Sequence, residues 1–380
     1  MRIAHLADAH LGYRAYNRVT RQGINWREAD VFQAFRSALD KVAEIQPELI
    51  LIAGDLFHAV RPSNLSIEQT FKEFLKLRDR TQAPLVIIGG NHDSPRSADT
   101  GCILDLFRNI PNVLVSHRDF ERQELPDLGV AVSCLGWRAV QRISEWKVEP
   151  SAQAKANVLI VHGTLEDIKL RLYDPTPILR DQVALEQWDY VALGHYHIHH
   201  KIAANAYYSG SLEFTSFNIW EEVGIPKGFI EYDLNDHELI GFHQVETREV
   251  VSLRPLDARE YTAEELSKSV QDFIENIDGG HKDKIIRLVI ENIPRSVQTD
   301  LDYAMIRRLK TEALHLELQF RPPTPRSGDT PAHDGPAKPL EEEWRDFATA
   351  YQTAAGVDRA ELAELGAGYL TGQASQEASD

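Results

Sequence analysis

The chain has 380 residues, of which 43% are hydrophobic and 26% charged, and its formal net charge is −17. That length allows two domains with ordinary cores, while the acidic excess argues against a protein that coats nucleic acid through bulk charge, because neutralising phosphates requires Lys and Arg. No apolar run reaches the ~20 residues of a membrane span. Met1 and Arg2 lead straight into a strand-like segment, and Cys102 and Cys134 are too few for a disulfide framework, so a cytoplasmic protein with buried thiols is expected.

The opening "MRIAHLA" reads as a strand, and "READVFQAFRSALDKVAEI" follows with the apolar period of an amphipathic helix. "PELILIAG" is a second apolar strand, "SIEQTFKEFLKLRDRT" a helix opened by Ser66, and "APLVIIGG" a third strand. Further on, "NVLIVHG" and "YVALGH" are two more. Strands this apolar are buried on both faces, so the alternation predicts an α/β fold whose sheet is covered by helices. Between about residues 207 and 250 strands alternate with turns, and Asn235 and Asp236 suit a hairpin.

These elements assign residues 1–248 to one domain and 249–321 to a small α+β domain. In the latter, "TAEELSKSVQDFIENI" begins with a capping box at Thr262 and Glu265, and strand-like "KIIRLVIENI", helix-like "DLDYAMIRRLKTEAL" and strand-like "LELQF" come after it. Residues 322–339 form a Pro- and Gly-rich linker that cannot bury a core. Trp344, Phe347 and Tyr351 then recur at helical spacing, and Leu362, Leu365 and Tyr369 repeat the pattern after Gly356. A tethered helical hairpin is predicted over 340–371, with a disordered tail over 372–380.

The apolar strands end in polar groups at one structural position. "LADAH" supplies Asp8 and His10, "IAGDLFH" Asp55 and His58, "GGNHD" Asn91 and His92, "IVHG" His162, and "LGHYH" His195 and His197. One such coincidence is common; five strands ending in groups able to bind a cation point to a shared site. Carboxylate oxygens and imidazole nitrogens without thiolates suit Mn, Fe or Zn in a catalytic site. Two ions ~3.5–4 Å apart need a bridging carboxylate, and Asp55 suits that place. The neutral Asn91 oxygen limits the negative charge facing an anionic phosphodiester. The net charge does not oppose such a site, since bound ions reverse the local field of the carboxylates that hold them. Any contact with DNA must then come from local basic loops.

In this order the blocks D-x-H, G-D, G-N-H-D, a lone H and G-H-x-H resemble the calcineurin-like metallophosphoesterases over about residues 8–197. The resemblance implies a four-layer α/β sandwich, two mixed sheets flanked by helices. It places one metal ion on Asp8, His10, Asp55 and His197 and a second on Asp55, Asn91, His162 and His195. His92 is implied as a catalytic non-ligand that contacts the phosphate and assists the leaving group.

"DAHLGYRAYNR", "GDLFHAVRPS" and "GGNHDSP" further resemble the SbcD-type nucleases of double-strand-break repair. That likeness implies an enzyme using two divalent ions, Mn2+ in this reading, as a 3′→5′ double-strand exonuclease and a single-strand and hairpin endonuclease in repair, recombination and replication. It adds His58 as a second active-site histidine and a DNA-capping role for 249–321. It also implies that the hairpin docks through Trp344, Phe347 and Tyr351 on an SbcC-like, SMC-type ATPase, in a homodimer within a heterotetramer.

Arg14, Tyr16, Arg18 and Arg21 lie after the first metal block in a loop and are expected to meet DNA phosphates or stack on a base. Asp93 is read as orienting His92 or capping the next segment, and Ser209, Gly210 and Ser211 as the floor of the site or a simple turn. His199 and His200 are bystanders, and Arg307, Arg308 and Lys310 a charged helix surface. Two other readings compete. A small-molecule or cyclic-nucleotide phosphodiesterase of the same fold would need neither cap nor hairpin; a non-catalytic scaffold for the ATPase would not need every ligand position filled.

Overall fold

Strand β1 (Arg2–Leu6) begins a sheet that β2 (Leu49–Ile52), β3 (Leu85–Ile88) and β4 (Val113–Ser116) extend in parallel. The structure is a computed structural model that describes residues 1–97, 100–166, 168, 177–323, 339–350 and 358–370. Helices α1 (Trp26–Ile45) and α2 (Asn64–Arg80) form the first two crossovers. Asn25 caps α1 by accepting the Arg27 N–H at 3.0 Å. Helix α2 is capped by Ser63 and not by the expected Ser66: the Ser63 hydroxyl accepts the Ser66 N–H at 3.1 Å. Both serines suit a cap, and the one whose oxygen reaches an amide three residues on is the first.

A second sheet comprises β5 (Glu121–Leu125), β6 (Val130–Leu135), β7 (Ala156–His162), β8 (Tyr190–Gly194), β9 (His200–Ala203) and β10 (Ala206–Tyr208), in the order β5-β6-β7-β8-β10-β9. Its inner strands are parallel and both edges antiparallel. The short helix α3 (Trp137–Val140) comes after β6, and α4 (Arg180–Val183) lies between β7 and β8. Strands β11 (Gly228–Asp233) and β12 (Glu238–Gln244) then return to the first sheet, giving β12-β11-β1-β2-β3-β4. Their turn is the expected one, with the Asp233 carboxylate accepting the Asn235 N–H at 2.8 Å.

Alternation along the strands divides the core into layers. Ala4, Leu6, Ile50, Ile52, Leu85 and Ile87 pack with Val31, Phe35, Leu39 and Phe74 of the two helices. The opposite faces, with Ile3, Leu51, Val86 and Ile88, meet Val132, Val158, Ile160 and Tyr190 of the second sheet. Beyond it, Leu159, Val161, Val191 and Leu193 pack with Ala139, Val140 and Val183. Helices, sheet, sheet and helices thus form the four layers expected of the fold class.

The strands β13 (Val250–Ser252), β14 (Leu256–Asp257), β15 (Ile285–Glu291) and β16 (His315–Phe320) form a separate parallel sheet centred on β15. Helices α5 (Ala263–Glu275), α6 (Arg295–Thr299) and α7 (Tyr303–Glu312) accompany it, and Leu266, Val270, Ile274, Ile306 and Leu309 cover Ile286, Leu288 and Leu316. The capping box of α5 forms as expected, Thr262 N–H to Glu265 at 3.0 Å and Glu265 N–H to Thr262 at 3.3 Å. This lobe belongs to the same compact unit, residues Met1–Arg321. A small apolar joint of Phe214, Ile219, Val250, Ile285 and Leu314 holds it, and the Arg248 guanidinium grips the Asp30 carboxylate at 2.6 and 2.7 Å.

The second unit, from Pro322 onward, contains α8 (Leu340–Ala350) and α9 (Arg359–Leu370), packed on each other. Trp344 donates its indole N–H to the Ala363 carbonyl at 2.9 Å, and its ring fills the space a side chain at Gly366 would need, with a Cβ falling 2.2 Å away. Phe347 and Tyr369 are exposed. Tyr351, residues 324–338 of the linker and the tail lie outside the described residues. Among the described residues no helix is long and apolar enough to cross a membrane.

Candidate metal centre

Five parallel strands from both sheets end at one rim. The loop after β1 carries Asp8 and His10, that after β2 Asp55 and His58, that after β3 Asn91 and His92; β7 ends on His162, and the loop after β8 carries His195 and His197. Carboxyl ends of parallel strands are where α/β folds place ligand groups. Asp8, His10, Asp55 and His195 all adopt left-handed backbone, φ 52°, 48°, 50° and 97°. Each costs on the order of 1–3 kcal/mol, and such strain gathers at functional sites. The loops are laced together: Asp8 N–H donates to the Gly54 carbonyl at 3.1 Å, His10 N–H to that of Asp55 at 2.9 Å, and His195 N–H to the Asp8 carboxylate at 3.0 Å. Gly90 is obligatory here, since a Cβ would sit 2.0 Å from Asp55 Oδ1.

Two groups of donor atoms contain a carboxylate. Those of Asp8, His10 and His197 lie within 4.8 Å of one another, and so do those of Asp55, His162 and His195. Asp55 stands between them, its Oδ2 3.4 Å from His162 Nε2 and 3.7 Å from His10 Nε2. The Asn91 Oδ1 is 3.0 Å from His162 Nε2 and 2.9 Å from His195 Nδ1. His162 Nδ1 donates to the Ala53 carbonyl at 2.8 Å, which leaves its Nε2 lone pair for the centre.

This arrangement fits divalent cations and fits poorly without them. His10 Nε2 and His197 Nε2 face each other at 3.0 Å, and the buried His197 Nδ1 has no hydrogen-bond partner among the described residues. Burial holds His10 down to about 3 and His197 well below its ordinary value, so both are neutral donors of lone pairs. Burial, with the Asp55 charge adding to it, pushes the Asp8 and Asp93 carboxyls up to about 7. Burial opposes charge on His162 too, yet Asp55 and Asp8 override it and raise the imidazole to about 9. The neighbouring imidazoles, His162 foremost, hold the Asp55 carboxyl well below its ordinary value against burial, and a bound cation would favour the ionised Asp8 carboxyl in the same way.

His92 lies beside the two groups without joining either. It clusters instead with His10 and His58, a set of three imidazoles with no carboxylate to balance a cation. Its backbone N–H donates to Asp55 Oδ1 at 2.8 Å, and its Nδ1 donates to the His58 carbonyl at 2.9 Å. The ring is half-buried and stacks on His58, centroids 4.9 Å apart, while His58 Nδ1 lies 3.3 Å from His10 Nδ1. Asp93 orients neither His92 nor a helix, contrary to expectation. It is fully buried, with Oδ2 accepting the Leu56 and Phe57 N–H groups at 2.8 and 3.3 Å and Oδ1 that of Gly90 at 2.8 Å. A carboxylate just past one strand end therefore clamps the neighbouring loop.

Asp93→Asn is expected to damage that clamp, because the amide nitrogen must face an N–H. Unsatisfied buried groups cost ~1–3 kcal/mol each. Calorimetry should show a lower unfolding temperature and titration a weaker uptake of divalent cations; an unchanged midpoint would contradict the clamp.

The remaining residues separate clearly. Tyr16 stacks on His315, centroids 3.9 Å apart, and the Arg18 guanidinium donates to the Thr311 and Ala313 carbonyls at 2.5 and 2.9 Å. Both are engaged by the small lobe; Arg14 pairs with Glu28 at 2.8 Å, and Arg21 is exposed. Ser211 donates its N–H to the His197 carbonyl at 3.2 Å, and a Cβ on Gly210 would approach the His199 nitrogen at 2.7 Å, so this segment lies directly against the His197 loop. His199 packs at a tilt against Phe242 and belongs to neither donor group. Arg307, Arg308 and Lys310 are exposed on α7. Two buried ion pairs went unforeseen: Lys227–Glu222 at 2.6 Å, with the ammonium also on the His197 carbonyl at 2.9 Å, and Arg27–Glu213 at 2.8 Å. So did Trp137, whose ring stacks on His195.

Comparison with known proteins places this geometry. The family model described as calcineurin-like phosphoesterase matches residues 1–321. The chain is 26% identical over 289 residues to the DNA double-strand break repair protein Mre11 of Methanocaldococcus jannaschii, covering 69% of this chain and 71% of that protein. It is 28% identical over 269 residues to the SbcD component of the SbcCD nuclease of Staphylococcus epidermidis, covering 63% and 68%. With the Mre11 of Archaeoglobus fulgidus the identity is 29% over 285 residues, 66% of this chain but only 60% of that protein.

Proposed function

Since the chain belongs to the calcineurin-like phosphoesterase family, we propose that it is a metal-dependent DNA nuclease of double-strand-break repair, recombination and replication. The observation that carries this reading is the convergence of donors from five strand ends into two groups around Asp55, with His92 beside them and outside both. Similarity to Mre11 and SbcD proteins supports DNA as the substrate. Asp8, His10, Asp55 and His197 hold one ion and Asp55, Asn91, His162 and His195 the other. Two Mn2+ ions bound there would polarise the phosphodiester and acidify water for in-line attack on phosphorus.

The chain's own residues do the rest. Asn91 brings oxygen without charge, so the anionic backbone can approach. His92, its Nδ1 tied to the His58 carbonyl, presents Nε2 to the phosphate and, when protonated, to the leaving 3′ oxygen. His58 backs that ring, and Asp93 keeps the two loops in register. The activity is a 3′→5′ double-strand exonuclease and a single-strand and hairpin endonuclease in the cytoplasm. Residues 1–248 form the nuclease domain and 249–321 cap the DNA. The hairpin over 340–371 docks through Trp344, Phe347 and Tyr351 on an SbcC-like, SMC-type ATPase, within a heterotetramer built on a homodimer.

The test is digestion of linear duplex, hairpin and single-stranded DNA with Mn2+, beside bis(p-nitrophenyl) phosphate. Turnover of the chromogenic ester with no DNA cut would favour the small-molecule phosphodiesterase, and inertness toward both would favour a scaffold. Removing residues 340–380 should leave hydrolysis nearly intact and abolish co-purification with the ATPase. Undiminished co-purification would refute the docking role.

A further inference from the structure

Beyond Asn91 the rim opens into a cleft of about 360 Å³. Asn91, Ser94, Arg96, Trp137 and Arg138 line it, between the turn after β3 and helix α3. Strand β6 builds one wall as its neighbours build the metal centre, ending in a glycine and a functional side chain. The Trp137 N–H donates to the Gly89 carbonyl at 2.9 Å, and a Cβ on Gly136 would fall 2.9 Å from the same oxygen, so the ends of β3 and β6 are in close contact. The indole lies near-parallel to the His195 ring, centroids 5.5 Å apart at 28°.

The wall is cationic. Arg96 is exposed, and Arg138 donates to the Pro95 carbonyl at 2.8 Å; neither meets a carboxylate among the described residues. Arg142 at the edge differs, its charge spent on Asp119 at 2.6 Å and Glu145 at 3.6 Å. In a chain of net charge −17, no acidic residue lines this cleft among the described residues. The Ser94 hydroxyl adds a buried polar group with no hydrogen-bond partner among the described residues.

An indole, two guanidiniums and a buried hydroxyl, none of the three polar groups meeting a carboxylate among the described residues, beside a phosphodiesterase centre match an aromatic base attached to a phosphate. Small-ligand clefts run from ~300 to 1,000 Å³, so this one accepts a single unpaired nucleotide and not a base pair. We propose that the cleft seats the nucleotide adjoining the scissile phosphodiester, its base on Trp137 and its own phosphate on Arg96 and Arg138. The site then engages a frayed or single-stranded end in preference to paired DNA. This rests on the nuclease reading above.

The test uses the full-length chain with Mn2+ and DNA bearing an abasic nucleotide on either side of the bond that wild type cuts. Wild type should cut one of the two abasic substrates about ten-fold more slowly than intact DNA, the scale of a lost base–aromatic stack. Trp137→Leu should cut intact DNA slower by a similar factor and respond no further to the abasic nucleotide. Arg96→Ala, at an exposed position that does not threaten the fold, should raise KM for DNA and leave kcat nearly unaltered. Indifference of wild type to both abasic positions overturns the subsite. So does a Trp137→Leu variant that loses bound Mn2+, or loses bis(p-nitrophenyl) phosphate hydrolysis in step with DNA cleavage, because the indole would then merely support His195. Failure of wild type to cut any DNA while hydrolysing the ester overturns the nuclease reading itself, and the subsite with it.

Discussion

Asp55→Ala is expected to leave a chain that neither retains two divalent ions nor hydrolyses phosphodiesters above background. Its Oδ2 is 3.4 Å from His162 Nε2 and 3.7 Å from His10 Nε2, one nitrogen from each donor group, so truncation removes the carboxylate that stands between the two groups. The loss spreads further. Asp55 Oδ1 accepts the His92 N–H at 2.8 Å, and the Asp55 charge is the chief influence holding His162 at about 9 against burial. Removing one member of a buried charged network leaves the others desolvated and unpaired, which is costlier than the contact itself. Metal analysis of the purified variant beside Mn2+-supplemented hydrolysis checks the claim. Two tightly held ions in Asp55→Ala would show that some other group bridges them.

The strand ends were legible because one physical rule places them. A parallel strand buried on both faces reads as an uninterrupted apolar run, so Asp8, Asp55, Asn91, His162 and His195 stand out as polar residues at the close of such runs. The features that stayed hidden depend on partners distant in sequence. Arg18 in a basic loop looks like a phosphate contact until Thr311 and Ala313, nearly three hundred residues on, turn out to hold it. Asp93 sits next to His92 in the chain, yet it serves Leu56 and Phe57 on another loop. Lys227 and Glu222 carry no local signal of burial, yet both are buried, with the ammonium on the His197 carbonyl. Trp137 carries a local signal of its own: "AVSCLGW" is a sixth apolar run ending in glycine and a side chain able to bind a ligand. Its lack of a metal donor atom sets it outside the pattern.

His92→Ala should separate chemistry from metal binding. The imidazole belongs to neither the Asp8 group nor the Asp55 group, and its Nδ1 is committed to the His58 carbonyl at 2.9 Å, so no ion loses a ligand when it is removed. In the proposed mechanism its contribution is made to the phosphoryl group and leaving oxygen in the transition state, and binding of the ground state would hardly draw on it. Both ions and DNA affinity are therefore expected to persist while cleavage falls by the ~10²–10⁴-fold typical of a positioned acid or base. His195→Ala makes the contrast, since its Nδ1 meets Asn91 at 2.9 Å within the metal set and its loss should lower occupancy as well as rate. A neighbouring histidine complicates the first variant: His58 stacks on His92 and lies 3.3 Å from His10, so it is placed to move into the vacated space. The double variant His58→Ala with His92→Ala then matters. If it is no slower than His92→Ala, the acid is His92 alone. If His92→Ala loses an ion while His195→Ala keeps both, the roles assigned to these two strand ends are exchanged.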